Sequence, residues 1–339
     1  MHKMMARIAL GLALILIALA PVEPVISQTK PSQLAACSEF AFSTEEDFLT
    51  QGPSPPDGNS IISDGDLLSP NGVVCARNEK LLYNFDVTVD LGLDAVDVID
   101  VQSELVAFST ELDSPHGNFK AGDLLATNGA VLPNVALLAG FELHADLGLD
   151  AVHFVGTQRQ ISAFLAYVAD KGRDFWVQNP GRLPPTLKEY GIDIWFSTEG
   201  TAPTVEQPAF LDGDLLSARE GVIVVANSDL LPPSVPAGIP NRGVDFGLDA
   251  AAATRTGKHG SVRYSTEILY RGEPAFSDGD VLKFGDGVLT TNSSLVTPFE
   301  PKAHFLGLDA LFMALGEGAY SDSYLPLILK RRVGGMIEE

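Results

Sequence analysis

The sequence predicts an all-β protein built as a four-bladed, β-propeller-like ring that its C-terminal strand closes. Three observations predict this fold. Two short signatures recur four times along the 339 residues, turn sequences separate short apolar runs within each copy, and the signatures follow a circularly permuted order. Self-similarity of this kind identifies a repeat architecture before local propensities are considered. An open β-solenoid of four repeats is the alternative.

The first signature is Phe-Ser-Thr-Glu, which closes a short strand in each unit. Its copies occupy residues 42–45, 108–111, 196–199 and, with Tyr in place of Phe, 264–267. Apolar residues alternate with other residues just before each copy, as at Phe40 and Phe42. This period of two is typical of β-strands.

The second signature is Gly-Leu-Asp-Ala, which leads into another apolar run. Its copies begin at Gly92, Gly148, Gly247 and Gly307. From the first signature to the second, each unit has an acidic turn, an apolar pair, a second turn and a further apolar run. The second turn contains pairs such as Asn71-Gly72 and Asp286-Gly287, which favour tight hairpins because both residues adopt positive φ. Each unit is therefore predicted to contain four short strands.

The order of the signatures predicts how the ring closes. The repeats begin with a Phe-Ser-Thr-Glu and end with a Gly-Leu-Asp-Ala, so the first unit lacks a strand that the last signature can supply. We expect residues 308–315 to pair beside residues 39–44. Closure leaves no exposed sheet edge, whereas an open stack needs atypical capping repeats, and the terminal units are ordinary.

One unit carries a helical insertion at residues 157–188, because the second and third copies of Gly-Leu-Asp-Ala are much farther apart than the others. Four of its apolar residues have the i, i+3, i+4, i+7 spacing of one face of a helix. They are Ile161, Phe164, Leu165 and Val168. The Pro184-Pro185 pair then predicts a break in regular structure.

The insertion also supplies candidate binding residues, because it gathers basic and aromatic side chains in an otherwise acidic chain. They are Arg159, Arg173, Phe175, Trp176 and Arg182. Long loops on a rigid scaffold often carry binding, and an aromatic ring with a basic neighbour suits a glycan, an anionic group or another protein. The alternative is that helix and loop cap one end of the ring with the aromatic rings buried.

The charge balance restricts the partners. Lys and Arg number 22 against 44 Asp and Glu, which gives a formal net charge of -22. Such a protein repels nucleic acid and anionic membrane surfaces. We therefore expect no nucleic-acid partner, and a protein or glycan of unknown identity instead.

The chain divides into four segments. Residues 1–27 have the basic start and short uncharged core of a signal peptide, and that core is too short to span a bilayer. Residues 28–37 are an expected linker, residues 38–316 the repeat domain, and residues 317–339 a tail that forms a stray strand or a sorting signal. We expect a monomer without a transmembrane span, secreted or held at the cell surface.

The two cysteines, Cys37 and Cys75, have alternative roles. An exported compartment permits a disulfide between them. The sequence Leu-Ala-Ala-Cys at residues 34–37 also has the form of a lipobox, which would make Cys37 an acylated membrane anchor. The disulfide is favoured because residues 21–33 separate the lipobox from the apolar core of the leader.

The acidic turns are candidate Ca²⁺ sites, since carboxylates that alternate with glycine supply oxygen ligands. The candidate ligands are Asp64, Asp66, Asp123, Asp212, Asp214, Asp278 and Asp280. The alternative is structural, because Asp and Gly are the standard residues of tight turns. No turn continues into an EF-hand pattern with a closing Glu, so any Ca²⁺ is expected to be weakly bound and structural.

Each second signature contains an Asp-Ala pair, at Asp94-Ala95, Asp150-Ala151, Asp249-Ala250 and Asp309-Ala310. In this pair and in the number of repeats, the chain resembles hemopexin-type propellers, whose four blades each open with Asp-Ala on the innermost strand. The resemblance implies four blades but neither haem binding nor a matrix-protein role, because the Tyr and Trp pattern of those blades is missing. The whole unit also resembles exported bacterial repeat proteins of unassigned role.

The sequence favours a non-enzymatic exported β-repeat protein that acts as a binding or structural module, with Ca²⁺ support. Catalytic carboxylates must differ in environment, whereas residues such as Asp94 and Asp150 recur in every unit. The histidines show no zinc-binding spacing. The alternative is an extracellular carbohydrate-active hydrolase or lyase with a site beside the insertion.

Overall fold

The structure is a computed structural model that describes residues 33–52, 54–202, 209–238, 243–303 and 305–316. The expected signal peptide at residues 1–27 and the tail at residues 317–339 lie outside the described residues. The described part is mostly antiparallel β-sheet, which confirms the all-β prediction. No helix in this part of the chain has the length and apolar character needed to cross a bilayer.

The strands are short, as the spacing of the turn sequences predicts. In chain order they are β1 (Phe40–Phe42), β2 (Phe48–Leu49), β3 (Ile61–Ile62), β4 (Leu67–Ser69), β5 (Val73–Ala76), β6 (Val96–Asp100), β7 (Leu105–Phe108), β8 (Leu124–Ala126), β9 (Ala130–Leu132), β10 (Val152–Val155), β11 (Asp193–Phe196), β12 (Leu215–Ser217), β13 (Val222–Val225), β14 (Ala250–Ala252), β15 (Arg263–Ser265), β16 (Val281–Lys283), β17 (Val288–Thr290) and β18 (Leu311–Met313).

Seven α-helices are described, four of which are single turns that follow the outer strands. In chain order they are α1 (Asn78–Leu81), α2 (Asn134–Leu137), α3 (Gln158–Lys171), α4 (Arg173–Gln178), α5 (Leu183–Tyr190), α6 (Asn227–Leu230) and α7 (Asn292–Val296). Short 3₁₀ turns lie at Gln33–Cys37, Tyr83–Phe85, Leu138–Phe141, Pro180–Arg182, His259–Ser261 and Thr297–Phe299.

The strands form four antiparallel sheets of four strands each and one two-stranded hairpin. Sheet 1 has the order β18-β1-β4-β5, sheet 2 β6-β7-β8-β9, sheet 3 β10-β11-β12-β13 and sheet 4 β14-β15-β16-β17, while β2 and β3 form the hairpin. In every sheet, Gly-Leu-Asp-Ala leads into the first strand of the order given above. The aromatic residue that opens Phe-Ser-Thr-Glu, or its Tyr variant, lies in the second strand. Each sheet therefore contains the four strands predicted for one unit.

Sheet 1 is completed by the two ends of the described chain. β18 pairs antiparallel with β1, with Phe42 opposite Leu311 and Phe40 opposite Met313, as the order of the signatures predicts. The first strands of the sheets also contact one another in cyclic order: β6 with β10, β10 with β14, β14 with β18, and β18 with β6. We call these four the inner strands.

Serines of the first signature join consecutive sheets. The Ser43 hydroxyl donates a hydrogen bond of 2.9 Å to the Leu93 carbonyl, which precedes the inner strand of sheet 2. Ser109 and Ser197 donate to Leu149 and Leu248 in the same way, at 2.9 and 2.7 Å. The aromatic residue that opens the signature is buried in each unit, as at Phe108 and Tyr264. Each first signature thus supplies one core ring and three of the four supply one bond to the next sheet.

One hairpin differs from the expected geometry. Gly72, Gly129 and Gly221 have positive φ at the predicted second turns, but in sheet 4 the positive φ belongs to Gly285 rather than to Gly287. The N–H of Gly285 donates to the Leu230 carbonyl at 2.7 Å, which draws the start of this four-residue loop toward α6.

The insertion forms three α-helices rather than one helix followed by irregular chain. α3 begins with a capping box between Thr157 and Gln160, and its predicted apolar face is buried. Pro184 and Pro185 do not break regular structure but lie in the first turn of α5, where the missing N–H groups cost nothing. α3 and α4 contact β9, so the insertion covers the outer edge of sheet 2.

The outer strand of sheet 1 is covered by the last five residues of the expected linker. Gln33–Cys37 forms a 3₁₀ turn against β5, and Cys37 is bonded to Cys75 with a Cα–Cα distance of 6.1 Å. This confirms the disulfide alternative. Because lipobox acylation modifies the same sulfur, the bonded form of Cys37 is not available for a lipid anchor.

Removal of the disulfide is expected to lower the free energy of unfolding by about 4 kcal/mol, since the bond closes a loop between residues 38 positions apart. The measurement is urea unfolding of wild type and of the Cys37→Ala/Cys75→Ala variant, each with and without reductant. Reductant should destabilise only the wild type. A count of two free thiols in denatured, unreduced wild type would contradict the bond.

Candidate metal centre

The aspartates of the second signature lie together at one end of the inner strands. Asp249 directly precedes β14, and a single alanine separates Asp94, Asp150 and Asp309 from β6, β10 and β18. Each of the four aspartates is between 5% and 8% exposed. The pKa of each is raised well above its ordinary value, first by burial and then by repulsion from neighbouring carboxylates. Their repulsion crosses between sheets, as between Asp94 and Asp150.

The glutamates of the first signature surround these aspartates. Each lies against the glycine of the second signature on the adjacent strand of its own sheet, in the pairs Glu45 and Gly307, Glu111 and Gly92, Glu199 and Gly148, and Glu267 and Gly247. A methyl group on any of these glycines would overlap the glutamate carboxyl group. The two signatures therefore meet in space, and we call these four aspartates and four glutamates the carboxylate cluster.

The pKa values of glutamates in the cluster are raised as well. Burial, followed by Asp278, raises the pKa of Glu45 to about 7, and burial, followed by Asp212, raises the pKa of Glu267 to about 7. Burial also raises the pKa of Glu199, with a further contribution from Asp146. Burial and nearby carboxylates therefore disfavour the charged forms of these glutamates.

Little in the described residues neutralises this charge. None of the ion pairs within that part of the chain involves a member of the carboxylate cluster. Among the described residues, Asp94 Oδ2, Asp150 Oδ2 and Asp309 Oδ2 are buried without a hydrogen-bond partner. Asp249 differs, because its Oδ2 accepts a hydrogen bond of 3.3 Å from the Ser265 hydroxyl. Buried carboxylate oxygens without partners are costly unless a cation or a proton occupies them.

Three members of the cluster have the spacing of a metal site. One carboxylate oxygen each from Asp94, Asp150 and Glu199 lies within 4.8 Å of the other two, and no other group of three His, Cys, Asp or Glu among the described residues meets this spacing. All three ligands are oxygens, which suits hard cations such as Ca²⁺ and Mg²⁺ rather than Zn²⁺.

The second aspartate of each acidic turn has a structural role. One carboxylate oxygen of Asp66 accepts the N–H of Asn78 at 3.1 Å, and the other accepts the N–H of Ser63 at 3.1 Å. Asp123, Asp214 and Asp280 accept the same two hydrogen bonds. One comes from the N–H of the asparagine that begins the following single-turn helix, and the other from the N–H of the residue three positions before the aspartate. Asp66 and Asp123 also pair with Arg77 and Arg173. These bonds match the structural alternative for the second positions of the turns.

The first aspartates of the turns lie closer to the carboxylate cluster. Burial, followed by Glu111, raises the pKa of Asp64 to about 6. Burial and a hydrogen bond to Asp212 raise the pKa of Asp245 to about 8. Asp278 Oδ1 is buried and has no hydrogen-bond partner in the part of the chain that the structure describes. Asp64, Asp212 and Asp278 thus extend the acidic region outward from the cluster.

A buried asparagine in each unit links the turn to the next sheet, and the sequence analysis missed it. The Asn78 amide donates to the Gly65 and Gly92 carbonyls at 3.1 Å, and its oxygen accepts the Leu91 N–H at 3.1 Å. Asn134, Asn227 and Asn292 occupy the equivalent positions. An alignment of the four repeats would have shown this asparagine in every copy, at the position where the single-turn helix begins.

Replacing Asn78 by Ala is expected to lower the free energy of unfolding by about 3 kcal/mol, because one buried N–H and two carbonyls lose their partners. The measurement is urea unfolding followed by circular dichroism. Asn84→Ala is the matched control, since the exposed Asn84 makes one bond, to the Thr127 carbonyl. A loss no larger for Asn78→Ala than for Asn84→Ala would contradict the role of the buried amide.

The candidate binding residues of the insertion do not form one surface. Trp176 is fully buried, and its ring centroid lies 5.1 Å from that of Phe175. Arg173 Nε lies 2.7 Å from Asp123 Oδ2, which ties the insertion to the turn of sheet 2. Arg159 and Arg182 are exposed on separate helical segments. The arrangement of Phe175 and Trp176 is that of the capping alternative.

No known protein family, curated protein or solved structure matches the chain.

Proposed function

We propose that this chain is an exported, non-enzymatic scaffold, a four-bladed β-propeller that acts as a binding or structural module and holds divalent cations in the carboxylate cluster. The observation that carries the proposal is the recurrence of the same buried aspartate, faced by the same glutamate, in all four units. The proposal keeps a protein or glycan as the partner and secretion or the cell surface as the location.

Closure of the sheets supports the propeller. An open solenoid would leave the first and last units without mutual contacts, whereas β18 pairs with β1 and the inner strands contact one another cyclically. The amide of Asn292, after sheet 4, donates to the Gly307 carbonyl at 2.9 Å, before the last strand of sheet 1. The bond that links successive units is thus repeated between the last unit and the first.

Equivalence of the four units supports a scaffold rather than an enzyme. General acid and base catalysis needs two groups whose environments separate their pKa values in opposite directions. The four aspartates of the cluster are all buried and their pKa values are all raised. A hydrolase or lyase site beside the insertion would use its aromatic residues to hold a sugar, but Trp176 has no exposed surface.

Charge supports cation binding. Eight carboxyl groups share one end of the inner strands without an ion pair among the described residues, and a cation between them would replace repulsion by attraction. Ca²⁺ suits such a site because it accepts six to eight oxygen ligands in irregular arrangements. We therefore assign the cation to the aspartates of the Asp-Ala pairs rather than to the acidic turns.

The test is thermal unfolding of EDTA-treated protein with added CaCl₂, and with NaCl of equal ionic strength as the control. A free Ca²⁺ concentration ten times the dissociation constant stabilises the folded state by about 1.4 kcal/mol. For a domain of this size the melting temperature should rise by about 2–4 °C.

An unchanged melting temperature with both Ca²⁺ and Mg²⁺ would contradict cation binding. The non-enzymatic part of the proposal is tested separately, by incubating the protein with soluble polysaccharides and assaying new reducing ends and unsaturated products. Cleavage by wild type that Asp94→Asn abolishes would overturn it.

A further inference from the structure

We infer that one Ca²⁺ ion binds with preference between sheets 2 and 3, with Asp94, Asp150 and Glu199 as its protein ligands. This inference rests on the proposed function and goes beyond it by selecting one of four positions that the repeats make equivalent.

The geometry of these three side chains fits one ion. Ligand oxygens that each lie about 2.3–2.6 Å from Ca²⁺ are at most about 5 Å apart. The three carboxylate oxygens lie within 4.8 Å of one another, so a single ion can contact all of them. Three carboxylates offer up to six oxygens, and water can complete the coordination shell.

Two of the three ligands have buried oxygens that lack a partner. Asp94 is 7% exposed and Asp150 is 5% exposed, and Oδ2 of each makes no hydrogen bond within the described part of the chain. The two aspartates repel each other, and Glu199 adds to the repulsion at both. A cation between them supplies the attraction that no described side chain supplies.

Differences between the units explain why this position is preferred. Asp249 Oδ2 accepts a hydrogen bond from Ser265, the one serine of the four that does not bond to the next sheet. Asp309 lies within hydrogen-bonding reach of the Glu111 carboxyl group. Asp249 thus has a hydroxyl partner and Asp309 a carboxyl neighbour, although Asp309 Oδ2 itself has no hydrogen-bond partner among the described residues. Among the described residues, Asp94, Asp150 and Glu199 alone have the spacing of a single ion.

Glu199 gives the ion access from solvent. It is the exposed member of the three, while both aspartates are buried. Its carboxyl group lies over Gly148, which has a φ of +77° and no space for a methyl group. The glycine of the second signature is thus required for the glutamate of the first signature to face the aspartates.

The experiment is isothermal titration calorimetry of CaCl₂ into EDTA-treated, dialysed protein. Asp150→Asn and Glu199→Gln should each weaken Ca²⁺ binding by at least about tenfold, since each removes a charged ligand. Asp249→Asn, at the equivalent position of sheet 4, should weaken Ca²⁺ binding less than either of these variants, because Ser265 already engages that carboxylate. Glu220→Gln, which changes an exposed carboxylate on the loop between β12 and β13, is the control for net charge.

The outcomes separate this inference from the proposed function. If Asp249→Asn weakens binding as much as Asp150→Asn and Glu199→Gln do, the ion has no preferred position, and the inference fails while the proposed function stands. If wild type binds neither Ca²⁺ nor Mg²⁺, both fail. Thermal unfolding in EDTA reports whether each variant is folded. If a substitution at a buried aspartate prevents folding, Glu199→Gln still tests the inference, because Glu199 is exposed.

Discussion

In buffer that contains EDTA, the melting temperature of the protein is expected to fall as the pH rises from about 5 to about 8.5. Burial and neighbouring carboxylates raise the pKa of Asp64 to about 6, the pKa values of Glu45 and Glu267 to about 7, and the pKa of Asp245 to about 8. The ordinary values are 3.8 for Asp and 4.5 for Glu.

The sign follows from proton binding in the two states. Each of these carboxyl groups holds its proton more tightly in the folded protein than in the unfolded chain. Their contribution to stability is fully present below the unfolded pKa values, near pH 4, and is lost as the pH passes through the folded values of about 6 to 8. Because four groups act in the same direction, the loss should exceed that of a single titrating site.

The measurement is thermal unfolding at constant ionic strength over this pH range. Asp245→Asn removes the group with the highest pKa of the four and should flatten the decline above pH 7. Glu220→Gln changes an exposed carboxylate outside this region and should leave the decline as it is in wild type. A melting temperature that rises steadily from pH 5 to pH 8.5 in EDTA would show that these carboxyl groups are not strained in the folded state.

The sequence predicts the strands well because the signals for them are local. Alternation before each Phe-Ser-Thr-Glu and glycine at the second turns specify strands and hairpins within a few residues of chain. The pairing of β18 with β1 follows from the order of the two signatures, which is again visible in sequence. The extra helices of the insertion were harder to foresee, because Pro184 and Pro185 suit a first helical turn as well as a loop.

The site was harder to predict than the strands, because its members are distant in sequence. Asp94 and Asp150 belong to successive units and meet only when two inner strands lie side by side. Because both residues recur in every unit, the sequence indicates a structural role for them. The sequence does not show that their carboxylate oxygens lack hydrogen-bond partners. The acidic turns are rich in Asp and Gly, which favours a metal site in the sequence. In the structure, Asp66 accepts hydrogen bonds from the N–H groups of Ser63 and Asn78 and thereby stabilises the turn.

Small departures from repetition distinguish the four positions of the cluster. Ser265 bonds to Asp249 rather than to the next sheet, and Glu111 reaches Asp309. Both depend on the direction of single side chains, which neither periodicity nor motif spacing encodes. A sequence can therefore reveal that four sites exist without revealing which of them is best suited to a cation.

Replacing Arg255 by Ala is expected to lower the free energy of unfolding by about 3–5 kcal/mol, the cost of leaving a buried charge unpaired. The Arg255 guanidinium donates to both oxygens of Asp97, at 2.5 and 2.7 Å, and to the Phe154 and Val98 carbonyls, both at 2.9 Å. Asp97 is 1% exposed and also accepts the Phe154 N–H at 2.7 Å. This one side chain thus joins the inner strands of sheets 2 and 3 to the chain that follows β14.

In the wild type, His153 does not assist Arg255 in balancing Asp97. His153 Nδ1 lies 3.6 Å from Asp97, but burial, with a further contribution from Arg255, lowers the pKa of His153 to about 4, so the ring is neutral at pH 7. In Arg255→Ala the Asp97 carboxylate would keep the Phe154 N–H and lose both charge-assisted bonds. The loss should therefore be larger than that of a surface ion pair, which is below about 1 kcal/mol.

Urea unfolding at pH 7 measures the effect, with Lys80→Ala as the matched control because Lys80 and Glu104 form an exposed pair at 3.1 Å. The double variant Asp97→Leu/Arg255→Met should recover much of the loss, since it removes the buried charge together with its partner. If Arg255→Ala were no less stable than Lys80→Ala, the bond between the inner strands would contribute little. If the double variant were less stable than Arg255→Ala, the unpaired Asp97 charge would not be the main cause of the loss, and the Phe154 N–H bond to Asp97 and packing would matter more.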